Sequence, residues 1–262
     1  MCQDIFSLRE RVVIVTGGCG HLGRELCKGL AAFGAQVVAL GRNEDRFLDL
    51  LHANQADAPG QIECRRCDVQ DEAAFATIMA DVARKYRHID ALINNANNSR
   101  RESWAELDKA GWRAGLDGTL THQFTCAKIA GEYLLKADHG SIVNIASLFG
   151  MLAPQFGMYP EGIRGPAAHH AVAKAGVLQL TKYLATMWAA QGLRVNAITP
   201  GWFPQKRGPE RPDFMREVTS RIPMGRIGQP PDLVGAAIFL VSNASAYMTG
   251  QNLVVDGGYT IW

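Results

Sequence analysis

No apolar run in the 262-residue chain approaches the roughly 18 residues that a membrane-spanning helix requires, so no membrane partner is expected. A dominant charge is lacking too. Against 27 Lys and Arg stand 25 Asp and Glu, a net charge of +2, with no concentrated basic face of the kind a nucleic-acid partner needs. The start Met1-Cys2-Gln3-Asp4 lacks the basic and apolar pattern of a secretory signal, which sets the expectation of a cytoplasmic protein. Cysteine is sparse. The six residues at 2, 19, 27, 64, 67 and 126 form no small-protein framework, and reduced, mostly buried thiols are expected. The pair Cys64-Arg65-Arg66-Cys67 supplies two zinc ligands rather than four. It lies on an expected strand, whereas a redox pair belongs at a helix start, so no metal site is expected.

What is present is ample core material and a glycine pattern. Hydrophobic residues make up 47% and charged residues 20%, ordinary values for a water-soluble chain that buries a large core in one domain spanning 1–262. The run Val12-Val13-Ile14-Val15-Thr16 breaks into Gly17-Gly18-Cys19-Gly20-His21-Leu22-Gly23, after which Leu22, Leu26, Leu30 and Phe33 recur at helical spacing. Glycines at 17, 20 and 23 let the chain turn sharply out of a strand, approach a diphosphate closely and seat the next helix. The unpaired N–H groups of that helix start then face the phosphates. A dinucleotide site is the expectation.

Further strands are expected at 35–40, 61–68, 91–94, 141–146, 194–199 and 253–255, after a first at 11–16. Helices are expected near 21–33, 43–54, 71–87, 105–137, 167–190 and 231–241, with Gly34, Gly140 and Gly192 as stop signals. This alternation predicts an α/β fold, a Rossmann-type doubly wound parallel sheet of about seven strands with helices on both faces. Two irregular segments rich in Gly and Pro, 150–166 and 200–228, follow strand ends at the edge where such sheets bind ligands, and are expected to be substrate loops.

From about residue 8 onwards the chain resembles the short-chain dehydrogenase/reductase family. The resemblance rests on the glycine turn, Cys67-Asp68-Val69, Asn94-Asn95-Ala96, Ile142 through Ser147, Lys174-Ala175-Gly176-Val177, Arg194-Val195-Asn196-Ala197, Pro200-Gly201, and Thr249-Gly250-Gln251 leading to Val255-Asp256-Gly257-Gly258. It implies hydride exchange between NAD(P) and an alcohol or carbonyl. A serine holds the oxygen, a tyrosine moves its proton, and a lysine four residues later favours the phenolate and bonds the nicotinamide ribose. By position Ser147 is the serine and Lys174 the lysine. The tyrosine position holds His170, the relay asparagine is replaced by Thr119, and Asn97 stands where the Asn-Asn-Ala-Gly motif normally ends. The glycine spacing looks like longer members of the family, the length and Gly257-Gly258 ending like shorter ones. His170 lies 23 positions after Ser147, so 150–166 carries an insertion beside the reacting centre.

A neutral imidazole, with a reference pKa of about 6.5 against about 10 for a phenol, accepts an alcohol proton near neutral pH. Its shorter reach requires a deeper substrate or a bridging water. Tyr159 in the insertion is a second source of the hydroxyl, or simply packs its loop. His169 points about 100° away from His170 on a helix, so one of the two faces the site. For the cofactor, the resemblance implies contacts from Gly17, Gly20, His21, Leu22, Gly23, Asp68, Val69, Asn95, Ala96, Lys174, Pro200 and Gly201. Gly41 replaces the acidic residue of NAD-preferring members and Arg42 follows it, so NADP(H) is expected ahead of NAD(H). Asp68 is expected near the adenine, with a strand-end turn former as an almost equal reading.

Tyr159, Glu161, Arg164, Trp202, Phe203, Lys206, Arg207, Arg211, Arg100 and Arg101 suit a polar, sugar-like or anionic small-molecule substrate. A broad apolar surface around 172–190, with Val177, Leu180, Tyr183, Leu184, Met187 and Trp188, predicts a homo-oligomer, a dimer or tetramer. The expected function is that of an NAD(P)-dependent oxidoreductase. The alternatives are a cofactor-binding regulator without dehydrogenase activity, or an epimerase or dehydratase on the same fold.

Overall fold

A computed structural model describes residues 5–52, 58–98, 102–161, 165–205 and 212–262. Seven strands run parallel: β1 (Val12–Thr16), β2 (Gln36–Gly41), β3 (Gln61–Arg66), β4 (Ala91–Asn94), β5 (Ser141–Ile145), β6 (Arg194–Pro200) and β7 (Asn252–Val255). Their order across the sheet is β3-β2-β1-β4-β5-β6-β7. The winding reverses between β1 and β4, and a crevice opens there at the carboxyl ends of the strands.

Alternate residues of the strands face opposite sides, and each side has its own core. Val13, Val15, Val37, Ala39, Ile93 and Val143 pack against α1 (His21–Ala32) and α8 (Val234–Val241). Val12, Ile14, Val38, Leu40, Leu92 and Ile142 pack against α3 (Glu72–Tyr86), α5 (His122–Leu134) and α6 (Ala168–Trp188). Fully buried side chains such as Leu26, Leu30, Ile14 and Phe75 each contribute about 1.5–3 kcal/mol of transfer free energy. A short α2 (Asp45–His52) follows β2.

Three expectations are corrected. The helix expected over 105–137 is two helices, α4 (Lys109–Leu116) and α5, joined by a widened π turn at Asp117–Thr121. There the N–H of His122 reaches back five residues to the Asp117 carbonyl, while the Gly118 carbonyl accepts from Asn98 N at 2.8 Å. A loop amide has taken a helix acceptor. The segment 200–228 is not irregular throughout, because α7 (Pro212–Ser220) forms within it around Phe214 and Val218. The third strand stops at Arg66 rather than Asp68, since the Asp68 carboxylate accepts from Gln70 N and its carbonyl from Asp71 N, closing a turn.

Candidate active site

The glycine turn leaves β1 through Gly17 at φ +64°, a conformation that costs a side chain strain. Gly20 N donates to Gly17 O at 2.9 Å, and a Cβ on Gly23 would lie 2.2 Å from the same oxygen. Only a glycine lets α1 seat this closely. The N-cap of α1 is Gly20, which offers no side-chain cap, so the first turn of the helix faces the crevice without a capping side chain over it. Leu22 packs into the core beneath, which fixes the helix start.

The loop after β4 forms the opposite wall. Thr16 Oγ1 accepts from Asn95 N and Ala96 N, both at 3.0 Å, and the Asn95 amide donates to the carbonyls of Thr16 and Gly17 at 3.0 and 3.1 Å. Asn95 therefore holds the turn in shape. At the ends of β2 and β3, Arg42 pairs with Asp68 at 3.8 Å, both half-exposed, an arrangement worth about 0–1 kcal/mol. Val69 is buried in the core. Pro200 closes β6, and Gly201 N donates to Val255 O at 3.0 Å, with a Cβ there only 2.6 Å from Asp256 Cα.

Ser147 follows β5 half-buried, its hydroxyl accepting from Phe149 N at 3.3 Å at the start of a 3-10 turn, Leu148–Gly150. That turn rests on α6: a Cβ at Gly150 would lie 2.6 Å from the Lys174 carbonyl carbon. The loop of Ser147 and the helical turn of Lys174 are thereby brought together. Lys174 is buried, and its ammonium donates to Ile145 O at 2.6 Å. Burial pulls its pKa down to about 7. Of three donors, two have no acceptor among the described residues, which fits a diol seated beside them. His170 sits one turn earlier, half-buried and on the same side of α6 as Lys174. His169 is sealed against α4, where a Cβ on Gly115 would meet its ring at 2.3 Å, and burial lowers its pKa.

Thr119 is buried in the π turn and donates to Asn97 Oδ1 at 3.1 Å, so two departures from the family pattern meet each other. Sequence reasoning missed His122, whose ring nitrogens lie 3.2 Å from Asp117 O and 3.0 Å from Ala96 O. Burial lowers its pKa, and Lys174 repels a charge there. Also missed is a buried chain in which the Asn94 amide donates to Asn144 Oδ1 at 3.0 Å and the Asn144 amide to Thr181 Oγ1 at 2.9 Å. Thr181 lies two turns beyond Lys174 on the same side, so this chain sets the rotation of α6. The signal available was asparagine inside the apolar runs of β4 and β5, each needing a partner once buried.

Tyr159 packs in an aromatic cluster, its ring 5.4 Å from Phe214 and 6.5 Å from Trp202. Phe149 and Tyr259 also meet Trp202, at 5.9 and 6.2 Å. Phe203 covers Gly228, and Glu161 is exposed. Arg100, Arg101, Arg164, Lys206, Arg207 and Arg211 lie outside the described residues. Among the described residues no group of three or more His, Cys, Asp or Glu side chains is placed so that it could hold a metal ion.

A parallel sheet with an uncapped, glycine-lined helix start at its switch point defines a dinucleotide-binding protein, and the buried lysine beside a serine loop places chemistry next to it. The profile of a family described as enoyl-(acyl carrier protein) reductase matches residues 20–260. The chain is 33% identical over 267 residues to galactitol 2-dehydrogenase (L-tagatose-forming) of Cereibacter sphaeroides, covering 99% of each. It is 34% identical over 261 residues to gluconate 5-dehydrogenase of Gluconobacter oxydans strain 621H, covering 98% of each. The crystal structure of a gluconate 5-dehydrogenase from Burkholderia cenocepacia J2315 in complex with NADP and tartrate matches with a TM-score of 0.88, 31% identity and 100% coverage of both chains. The chain belongs to the short-chain dehydrogenase/reductase family. It is an NAD(P)-dependent oxidoreductase acting on alcohol and carbonyl groups.

Proposed function

We propose that this chain interconverts an alcohol and a carbonyl of a polar, polyhydroxy or carboxylate-bearing substrate using NADP(H), with His170 in the proton-transfer role usually held by tyrosine. The observation that carries the reading is Lys174, a buried ammonium with two donors to spare, one helical turn from His170 and against the serine loop. A bound nicotinamide cofactor would supply the hydride exchange. Lys174 would hold its ribose, and the backbone of His21, Leu22 and Gly23 its diphosphate, inside the wall set by Asn95 and Ala96. In the oxidative direction Ser147 Oγ bonds the substrate oxygen, and the hydroxyl proton passes to the imidazole of His170. Thr119 and Asn97 together line the relay side. The aromatic setting of Tyr159 supports loop packing as its role.

Arg42, held to Asp68 only by a weak exposed pair, supports NADP(H): its guanidinium is free to exchange the carboxylate for a 2′-phosphate. Names of relatives, galactitol and gluconate, and the neighbour holding tartrate, support a polyhydroxy or hydroxy-acid substrate received between the loops 150–166 and 200–228. Of the residues expected to form an oligomer surface, Val177, Leu184 and Trp188 are instead buried within the fold, whereas Tyr183 and Met187 are exposed and, with Val172 on α6 and Phe124 on α5, support a homo-oligomer built on these helices. Five free cysteines among the described residues suit the cytoplasm.

The test is turnover of sugar acids, polyols and cyclic ketones with NADPH, NADH and their oxidised forms. His170→Ala is expected to lower kcat by about 10²–10⁴-fold, with His170→Tyr retaining activity. Arg42→Ala is expected to weaken NADP(H) about tenfold and leave NAD(H) unchanged. Wild-type turnover in His170→Ala removes the histidine from the reaction; cofactor binding without turnover in the wild type makes the chain a binder.

A further inference from the structure

Cys64 and Cys67 are three apart in sequence, yet the sheet separates them. Cys64 packs with the core on the α1 side, and Cys67 is buried in the core on the other. A second thiol reaches Cys64 from elsewhere. Cys64 lies in register with Ala39 of β2, and the Ala39 methyl is 2.7 Å from where a Cβ on Gly18 would be. The next residue is Cys19, whose sulfur lies 3.7 Å from the Cβ position of Gly41, two residues along the same face of β2. Cys27 of α1 closes the group, its thiol donating to Gly18 O at 3.7 Å. Three sulfurs thus surround the root of the glycine turn, from the turn, β3 and α1.

Cys19 and Cys64 lie close enough on this face for each thiol to perturb the other, which draws the Cys64 pKa down and, together with burial, pushes that of Cys19 up. Cys64 is half-buried, within reach of a small oxidant, whereas Cys19 and Cys27 are buried. Burial pushes the Cys27 thiol up as well, and its hydrogen goes to Gly18 O.

We propose that Cys19 and Cys64 are a peroxide-sensitive pair that joins in a reversible disulfide and thereby regulates the grip of the glycine turn. The Cys64 thiolate attacks one oxygen of hydrogen peroxide, the O–O bond breaks, and hydroxide leaves as Cys64 becomes a sulfenic acid. The Cys19 sulfur then attacks the Cys64 sulfur, its proton leaving with the displaced hydroxide as water. Two thiols and one peroxide become one disulfide and two waters. The S–S bond, about 2.05 Å, draws the turn toward β3. Cys19 stands between Gly18, already in contact with Ala39, and Gly20, the N-cap of α1, so the amides at the helix start move with it. That last effect rests on the turn being the diphosphate cradle; the bond itself does not.

The test treats the full chain with hydrogen peroxide and reads intact mass, peptide map and NADPH affinity. Expected are a mass loss of about 2 Da, a peptide linking Cys19 to Cys64, and NADPH binding weakened at least about tenfold, all reversed by dithiothreitol. Cys64→Ala is expected to show none of these, and Cys67→Ala all of them. A link between any other pair, or no link, overturns the proposal. A Cys19–Cys64 link with unchanged NADPH affinity overturns the regulation. Failure of the reduced protein to bind NADPH at all counts against the cofactor reading instead, with the linked peptide still deciding the chemistry.

Discussion

Replacing Lys174 by methionine is expected to make the cofactor-free protein more stable at neutral pH while removing the ammonium proposed to hold the ribose. Methionine keeps the length and most of the volume of the side chain and lacks only the charge. In the fold, burial brings the lysine to about pH 7 from its ordinary 10.5. Between those values the unfolded chain holds a proton that the folded one has shed, so stability rises with pH across the window and the burden is greatest below pH 7. At pH 7 the linkage amounts to about 4 kcal/mol. Against it stands the hydrogen bond to Ile145 O, whose loss costs about 1 kcal/mol. The net expectation at pH 7 is a gain of about 2–4 kcal/mol, read as a higher urea midpoint at unchanged slope. Repeating the titration near pH 10.5 should find the gain gone. A variant less stable than the wild type at pH 7, or a gain of equal size at both pH values, would refute the buried-charge argument.

Gly23→Ala places a methyl 2.2 Å from Gly17 O, backbone that has nowhere to go, and is expected to weaken NADPH binding by fluorescence titration at least about tenfold. Thr181→Val keeps the shape of the side chain but leaves the buried Asn144 amide without its acceptor; denaturation should show a loss of about 1–3 kcal/mol.

All seven strands were legible because each joins an apolar run to a turn signal, and the alternation with helices fixes the parallel order. The glycine turn was legible for the same reason: its residues act through their own backbone. What escaped depends on partners distant in sequence. The break between α4 and α5 exists because Asn98 takes the Gly118 carbonyl, and nothing local to 117–121 announces that bond. Helix α7 owes its apolar side to Tyr159 and Trp202, both outside its own segment. Ser147, His170 and Lys174 were singled out through family motifs and the structure sets the serine loop against the turn of Lys174, whereas the Asn94, Asn144 and Thr181 chain that orients α6 required the fold. Cys19 and Cys64 are 45 positions apart, and only strand register makes them neighbours.

The aromatic cluster of Phe149, Tyr159, Trp202, Phe214 and Tyr259 belongs to a small core of its own, separate from the two that flank the sheet. Exchanging its rings for smaller or more polar ones changes the proposed substrate loops while the two cores that flank the sheet stay untouched. A scaffold divided in this way lets selection retarget the enzyme toward a new hydroxy compound at small risk of unfolding it.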